Sequence, residues 1–204
     1  MKRLQDNVTI ITGGGKGIGF GLASAFAKEG SNLVITGRNG ARLLEAKKKL
    51  EEGYGVKVLA LVADGADEVK IKEVIAKTVD TNKKINTLIN NAQTSKSGLS
   101  LIEHTKEDFD LAINSGLYAT FFYMKEAFPY LKESKGSVIN FASGAGLFGK
   151  LGQSSYAAAK EGIRGLSRVA AAEWGPDGVR VNIIAPLAMT ESLTEWKEAY
   201  PELF

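Results

Sequence analysis

Tyr156 and Lys160 stand four residues apart in a stretch of helical character, so their side chains project from one face about one turn apart. A tyrosine with its ordinary pKa of about 10 is a poor proton donor or acceptor at neutral pH, and a neighbouring ammonium stabilises the phenolate and lowers that value. Ser143 falls at the tip of a predicted strand that feeds the loop into the same helix. The three together could form a general acid and base without histidine. Asn114 lies inside a predicted helix, where asparagine is a poor helix former because its amide competes for backbone hydrogen bonds. It predicts either a local distortion that frees a backbone carbonyl to hold water, or a structural hydrogen bond to a neighbouring strand.

Other catalytic chemistries are excluded by what the chain lacks. It has no cysteine and one histidine, His104, so disulfides, thiol nucleophiles and thiolate metal sites are out, and neither a zinc site nor a Ser-His-Asp triad is expected. The 26 Lys and Arg nearly balance the 23 Asp and Glu and are scattered, with the run at 47–49 set beside Glu45, Glu51 and Glu52. That is a solvated helix face, and no nucleic-acid partner is expected. No apolar run has the length of a signal peptide or a membrane span, so no membrane partner is expected and the cytoplasm is the default location.

A Y-x-x-x-K pair is weak by itself, and its meaning depends on the elements around it. An apolar, β-branched run at 8–12 gives way to Gly13, Gly14, Gly15, Lys16, Gly17 and Gly19, and then to a period near 3.6 ending at Gly30. Strand, tight glycine turn and helix leave unpaired N–H groups at the positive end of a helix dipole, where the missing β-carbons admit an anion such as a pyrophosphate. The spacing is G-x-x-x-G-x-G, which matches neither the stricter dinucleotide fingerprint nor the Walker pattern.

Strands are then predicted at 32–36, 57–63, 85–89, 137–142 and 179–184. Helices are predicted at 41–52 with Gly53 as a stop, at 67–79, 106–131 and 154–174, and a short one at 190–199. The alternation predicts an α/β fold: a Rossmann-like, doubly wound parallel sheet in three αβα layers, forming a single domain over residues 1–204. Ligands of such sheets bind beyond the carboxyl ends of the strands, where the winding reverses. Arg38, Asp64, Asn90, Asn91, Ser143 and Thr190 all fall at or just past predicted strand ends, on the edge that carries the glycine turn.

Folds that accept NAD usually place an acid about 20 residues past the glycine turn, on the ribose 2′-hydroxyl. Here that place holds Gly37 and Arg38, and residues 31–40 contain no acid. Arginine can grip a 2′-phosphate bidentately and stack on the adenine, and Lys16 can reach the same phosphate. NADP(H) is therefore the expected cofactor.

On these residues the chain resembles the short-chain dehydrogenase/reductase family over nearly its whole length. TGGGKGIG at 12–19 is similar to the family's cofactor turn, and NNAQ at 90–93 to its N-N-A-G segment. The resemblance implies a catalytic tetrad of Asn114, Ser143, Tyr156 and Lys160: Tyr156 protonates the carbonyl oxygen as hydride arrives, Ser143 hydrogen-bonds that oxygen, Lys160 binds the nicotinamide ribose and depresses the tyrosine pKa, and Asn114 positions a water. It implies cofactor contacts from Gly13, Gly15, Lys16, Gly17, Ile18, Gly19, Asp64 at the adenine amine, Gly65, and Asn91 and Ala92 on the adenosine side, with Pro186 and Thr190 near the nicotinamide. The expected activity is reversible reduction of a small-molecule ketone or aldehyde. 3-Oxoacyl carrier-protein reduction is the enzymatic alternative, and a non-catalytic NADP(H) sensor or scaffold the alternative of another class.

Three departures stand out: Gln93 for the last glycine of N-N-A-G, Leu187 for a glycine after Pro186, and Thr190 one residue early. The sequence stops at Phe204, before a further helix and seventh strand typical of the family, so the expectation is an incomplete record or a lid after Met189 that is only partly represented. Apolar residues on more than one face of the two long helices, among them Phe121, Phe122 and Leu166, predict a homodimer or homotetramer.

Overall fold

The computed structural model describes residues 2–203; Phe204, where the sequence stops, lies outside the described residues. The element order is β1 (Val8–Thr12), α1 (Gly17–Lys28), β2 (Asn32–Gly37), α2 (Gly40–Tyr54), β3 (Val58–Val62), α3 (Glu68–Asn82), β4 (Thr87–Asn90), α4 (Lys106–Ala112), α5 (Ala119–Ser134), β5 (Ser137–Phe141), α6 (Gly144–Phe148), α7 (Ser154–Trp174), β6 (Arg180–Ile184) and α8 (Glu191–Ala199). The six strands are all parallel in the order β3-β2-β1-β4-β5-β6. The winding therefore reverses between β1 and β4, as the sequence pattern predicts.

Central strands read as continuous apolar runs because helices cover both of their faces. All five residues of β1 are buried, whereas edge strand β6 alternates exposed and half-buried residues. On one face Ile10, Val34, Leu88 and Val138 pack with Ile71, Val74 and Ile75 of α3 and Tyr123, Met124, Ala127 and Leu131 of α5. On the other, Ile11, Leu33, Ile35 and Ile89 pack with Ala23 and Ala27 of α1 and Leu43, Ala46 and Leu50 of α2. A buried polar chain ties the second half together: Asn90 Nδ2 donates to Asn140 Oδ1 at 2.8 Å, and Asn140 Nδ2 to Ser167 Oγ of α7 at 2.8 Å. No helix among the described residues is long and apolar enough to cross a membrane.

Several boundaries differ from the sequence reading, three of them for a physical reason or by a turn of helix. Gly53 does not stop α2; the helix passes through it and closes at Gly55, whose φ of 67° is left-handed and whose N–H donates to Glu51 O. A glycine inside an exposed helix costs only about 1 kcal/mol relative to alanine, whereas the left-handed closing position favours glycine strongly. Helix α3 runs on to Asn82. The single helix expected at 106–131 is divided, because residues Ile113–Tyr118 form a π-helical turn between α4 and α5. The short helix α6 was not expected, since its sequence GAGLF holds two glycines.

Candidate active site

At the winding reversal, Thr12 Oγ1 accepts the N–H groups of Asn91 (3.0 Å) and Ala92 (2.9 Å), and Asn91 Nδ2 donates to Thr12 O at 2.9 Å. These bonds fasten the ends of β1 and β4 side by side and fix the floor of the glycine turn. Gly13 has a φ of +68°, and a β-carbon there would lie 2.9 Å from Asn91 Nδ2; one on Gly19 would run into the Gly13 carbonyl. Helix α1 thus rests directly on the turn. Its N-cap, Lys16, makes no side-chain cap and its first turn holds no acid, so the leading N–H groups stay open to an anion. The turn fits a pyrophosphate.

The turn forms one end of a cleft of about 1300 Å³ that collects every predicted cofactor residue: Gly13, Gly15, Lys16, Gly17, Ile18, Gly19, Arg38, Asp64, Gly65, Asn91, Ala92, Tyr156, Lys160, Pro186 and Thr190. Its lining carries one carboxylate, Asp64, against Lys16, Arg38, Arg42, Lys150 and Lys160. That imbalance suits a ligand with several phosphates. Arg38 stands at the end of β2, where its Nη2 donates to Thr94 Oγ1 at 3.1 Å. Arg42 joins it from the first turn of α2, whose N-cap Asn39 accepts the Arg42 N–H at 2.9 Å. Sequence reasoning missed Arg42, although a cation in an acid-free first turn beside Arg38 was a readable signal. Thr190 caps α8 by accepting the Leu193 N–H at 3.2 Å, and its methyl lies about 4.0 Å from where a β-carbon on Gly17 would stand. It therefore borders the phosphate turn.

At the other end of the cleft, the loop after β5 places Ser143 as the N-cap of α6, accepting the Ala145 N–H at 3.1 Å, and the Ser143 side chain hydrogen-bonds Tyr156 of α7. Lys160, one turn on, is only 3% exposed, with Nζ 5.5 Å from the centroid of the Tyr156 ring. Burial lowers its pKa to about 8. Burial also raises the Tyr156 pKa, partly offset by the hydrogen bond with Ser143. The lysine was expected to draw the phenol down. Here desolvation prevails, because burial strips the phenolate of its water and only the hydrogen bond with Ser143 compensates.

Asn114 is not brought to this group. It is exposed and off the cleft, within the π-helical turn, and its carbonyl accepts the Ala119 N–H five residues on. The distortion expected at Asn114 is present. From the same turn it is Ser115 that lines the cleft; its Oγ donates to Thr94 O at 2.8 Å and accepts the Thr94 N–H at 3.0 Å. Lys150 and Trp196 complete the rim, with Nζ 4.9 Å from the indole centroid, a pairing across the chain that no local signal foretold.

The family model for short chain dehydrogenases matches residues 7–200 of this chain. The chain belongs to the short-chain dehydrogenase family. It is accordingly an oxidoreductase of alcohol and carbonyl groups. Among the relatives of this dehydrogenase, 12α-hydroxysteroid dehydrogenase of a Clostridium species is 60% identical over 203 residues, covering 97% of this chain and 78% of that protein. The 3-oxoacyl-[acyl-carrier-protein] reductase of Thermotoga maritima is 37% identical over 198 residues, 95% of this chain and 80% of that protein. Among solved structures, levodione reductase superposes with a TM-score of 0.92 at 33% identity, covering 98% of this chain and 79% of that one. L-sorbose reductase from Gluconobacter frateurii, complexed with NADPH and L-sorbose, gives 0.92 at 28% identity, covering 99% and 78%.

Proposed function

We propose that this dehydrogenase uses NADP(H) to interconvert a secondary alcohol and a ketone on a bulky alicyclic substrate of the hydroxysteroid class. The observation that carries the reading is the hydrogen-bonded pair of Tyr156 and Ser143 beside buried Lys160, at the far end of a cationic cleft from an open glycine turn. The 60% identity to a 12α-hydroxysteroid dehydrogenase supports the substrate class. Leu147, Phe148 and Leu187, all exposed on the cleft, support a large apolar substrate.

When bound, the nicotinamide supplies or accepts the hydride. Ser143 donates a hydrogen bond to the substrate oxygen, and Tyr156 delivers its hydroxyl proton to that oxygen in reduction and removes it in oxidation. Lys160 supplies a nearby protonatable amine that restores the phenol. The backbone N–H groups of α1 bind the pyrophosphate, and Lys16, Arg38 and Arg42 the 2′-phosphate. In this reading residues 1–204 act as one cofactor-binding and catalytic domain in the cytoplasm. Exposed Leu111, Tyr118, Phe121 and Val169 on α4, the π-helical turn, α5 and α7 pair copies into a homodimer or homotetramer.

NADPH oxidation with a panel of steroid ketones, simple ketones and 3-oxoacyl thioesters tests the proposal, alongside Tyr156→Phe. Steroid ketones should turn over best, and Tyr156→Phe should lower kcat at least about a hundredfold with NADPH binding retained. Unchanged turnover in Tyr156→Phe removes the mechanism, a preference for 3-oxoacyl thioesters moves the enzyme to acyl-chain reduction, and tight NADPH binding with no turnover makes it a sensor.

A further inference from the structure

The wall of the cleft holds an amide that the mechanism above does not use. Both Gln93 Nε2 and Gln93 Oε1 are buried without a hydrogen-bond partner among the described residues, and the residue lines the cleft with Ser143, Tyr156 and Lys160. Leaving a buried donor and acceptor unpaired costs about 1–3 kcal/mol each, so a side chain held this way is oriented for something that enters. It is held by Gly116, in the π-helical turn: a β-carbon at 116 would lie 2.7 Å from Gln93 Cδ and 2.9 Å from both Nε2 and Oε1. The seat for the carboxamide therefore exists because residue 116 has no side chain. The neighbouring amide donors are otherwise engaged, Asn90 Nδ2 with Asn140 and Asn91 Nδ2 with Thr12 O, and of Asn90 only Oδ1 is without a partner among the described residues. Asn114 is exposed and does not line the cleft.

We infer that Gln93 is a positioning residue: seated on Gly116, its carboxamide holds a water against the Lys160 ammonium, through which the Tyr156–Lys160 pair exchanges protons with solvent. The inference rests on the acid–base reading of Tyr156. In reduction, Tyr156 gives its proton to the substrate oxygen, Lys160 returns one to the phenolate, and the water gives Lys160 a proton while taking another from solvent. Oε1 accepts from the water when Lys160 draws on its lone pair, and Nε2 donates when the direction reverses.

Gln93→Met keeps the length of the side chain and removes the amide. It should hold the melting temperature within about 3 °C and KM within about twofold, lower kcat about tenfold and displace the pH profile of kcat. Gln93→Gly should lose activity similarly, and adding Gly116→Asn, which returns a carboxamide to the same volume from the opposite side, should recover most of it. Gly116→Asn alone places two side chains in one space and should melt lower than the double variant. Without any cofactor, the Gln93 side-chain amide resonances of 15N-labelled protein should shift on Lys160→Met. A Gln93→Met enzyme with unchanged kcat and pH profile, a double variant no better than Gln93→Gly, or amide resonances indifferent to Lys160→Met each overturns the inference. Loss of the parent reading is told apart by Tyr156→Phe: turnover indifferent to that change removes the acid–base pair itself, whatever Gln93 does.

Discussion

Lys160 offers a test of the site that needs no substrate. Its side chain is 3% exposed, and burial takes its pKa from 10.5 in the open chain to about 8 in the fold. Below pH 8 both states carry the proton and the folded protein bears the full cost of a buried ammonium. Between 8 and 10.5 the unfolded chain binds more protons, so stability rises with pH; above 10.5 both are neutral and the cost is gone. At roughly 1.4 kcal/mol for each tenfold change in proton affinity, the cost at pH 7 is about 3 kcal/mol. Lys160→Met keeps the aliphatic stem and removes the charge. Without added cofactor it should melt about 6–12 °C above the parent at pH 7, since 1 kcal/mol moves a domain of this size by about 2–4 °C. The gap should close as the pH approaches 10.5. Thermal and urea unfolding of both proteins at intervals from pH 7 to 10.5 measures it. A difference that stays constant over that range would show that Lys160 is solvated and that the desolvation argument is wrong.

Arg38→Ala should raise the NADP(H) dissociation constant about ten- to a hundredfold, the worth of one or two charge-assisted hydrogen bonds, and weaken NAD(H), which has no 2′-phosphate to lose, far less; a fluorescence titration with both cofactors checks it. Gly19→Ala drives a methyl into the Gly13 carbonyl and the Asn91 amide, so it should abolish cofactor binding and lower stability by about 1–3 kcal/mol, read by calorimetric titration and thermal melting. Asn140→Ala strips the Asn90 amide and the Ser167 hydroxyl of a shared buried partner and should cost about 2–4 kcal/mol in urea unfolding, with the far-ultraviolet spectrum retained.

The sheet and most of the cleft were legible because strand ends and helix starts carry their own residue signals. Gly13, Gly19, Arg38, Asn91, Ser143 and Tyr156 all line the cleft, where local context placed them, since a parallel sheet sends all its carboxyl ends to one rim. Asn114 shows how little spacing says inside a distorted helix. An asparagine in mid-helix signalled a distortion that is present, but the residue of that turn beside it that lines the cleft is Ser115, and Asn114 stands exposed. The pairing of Gln93 with Gly116 was visible at neither position alone: one looked like a departure from a motif and the other like any helical glycine. The Tyr156 pKa was misjudged because proximity to Lys160 can be read from spacing, whereas the depth at which both are buried cannot.

The seam between β1 and β4 bears on how the chain comes to exist as well as on what it holds. Thr12 meets Asn91 across 79 residues of chain, and Ile10 pairs with Leu88, so this seam is a long-range closure that the ladders joining β1, β2 and β3 can precede. The Asn91 amide beneath the glycine bend belongs to that same closure. A chain in which β4 has not docked has no floor on which a dinucleotide could rest, so cofactor capture reports on closure of this seam and not on the ladders among β1, β2 and β3.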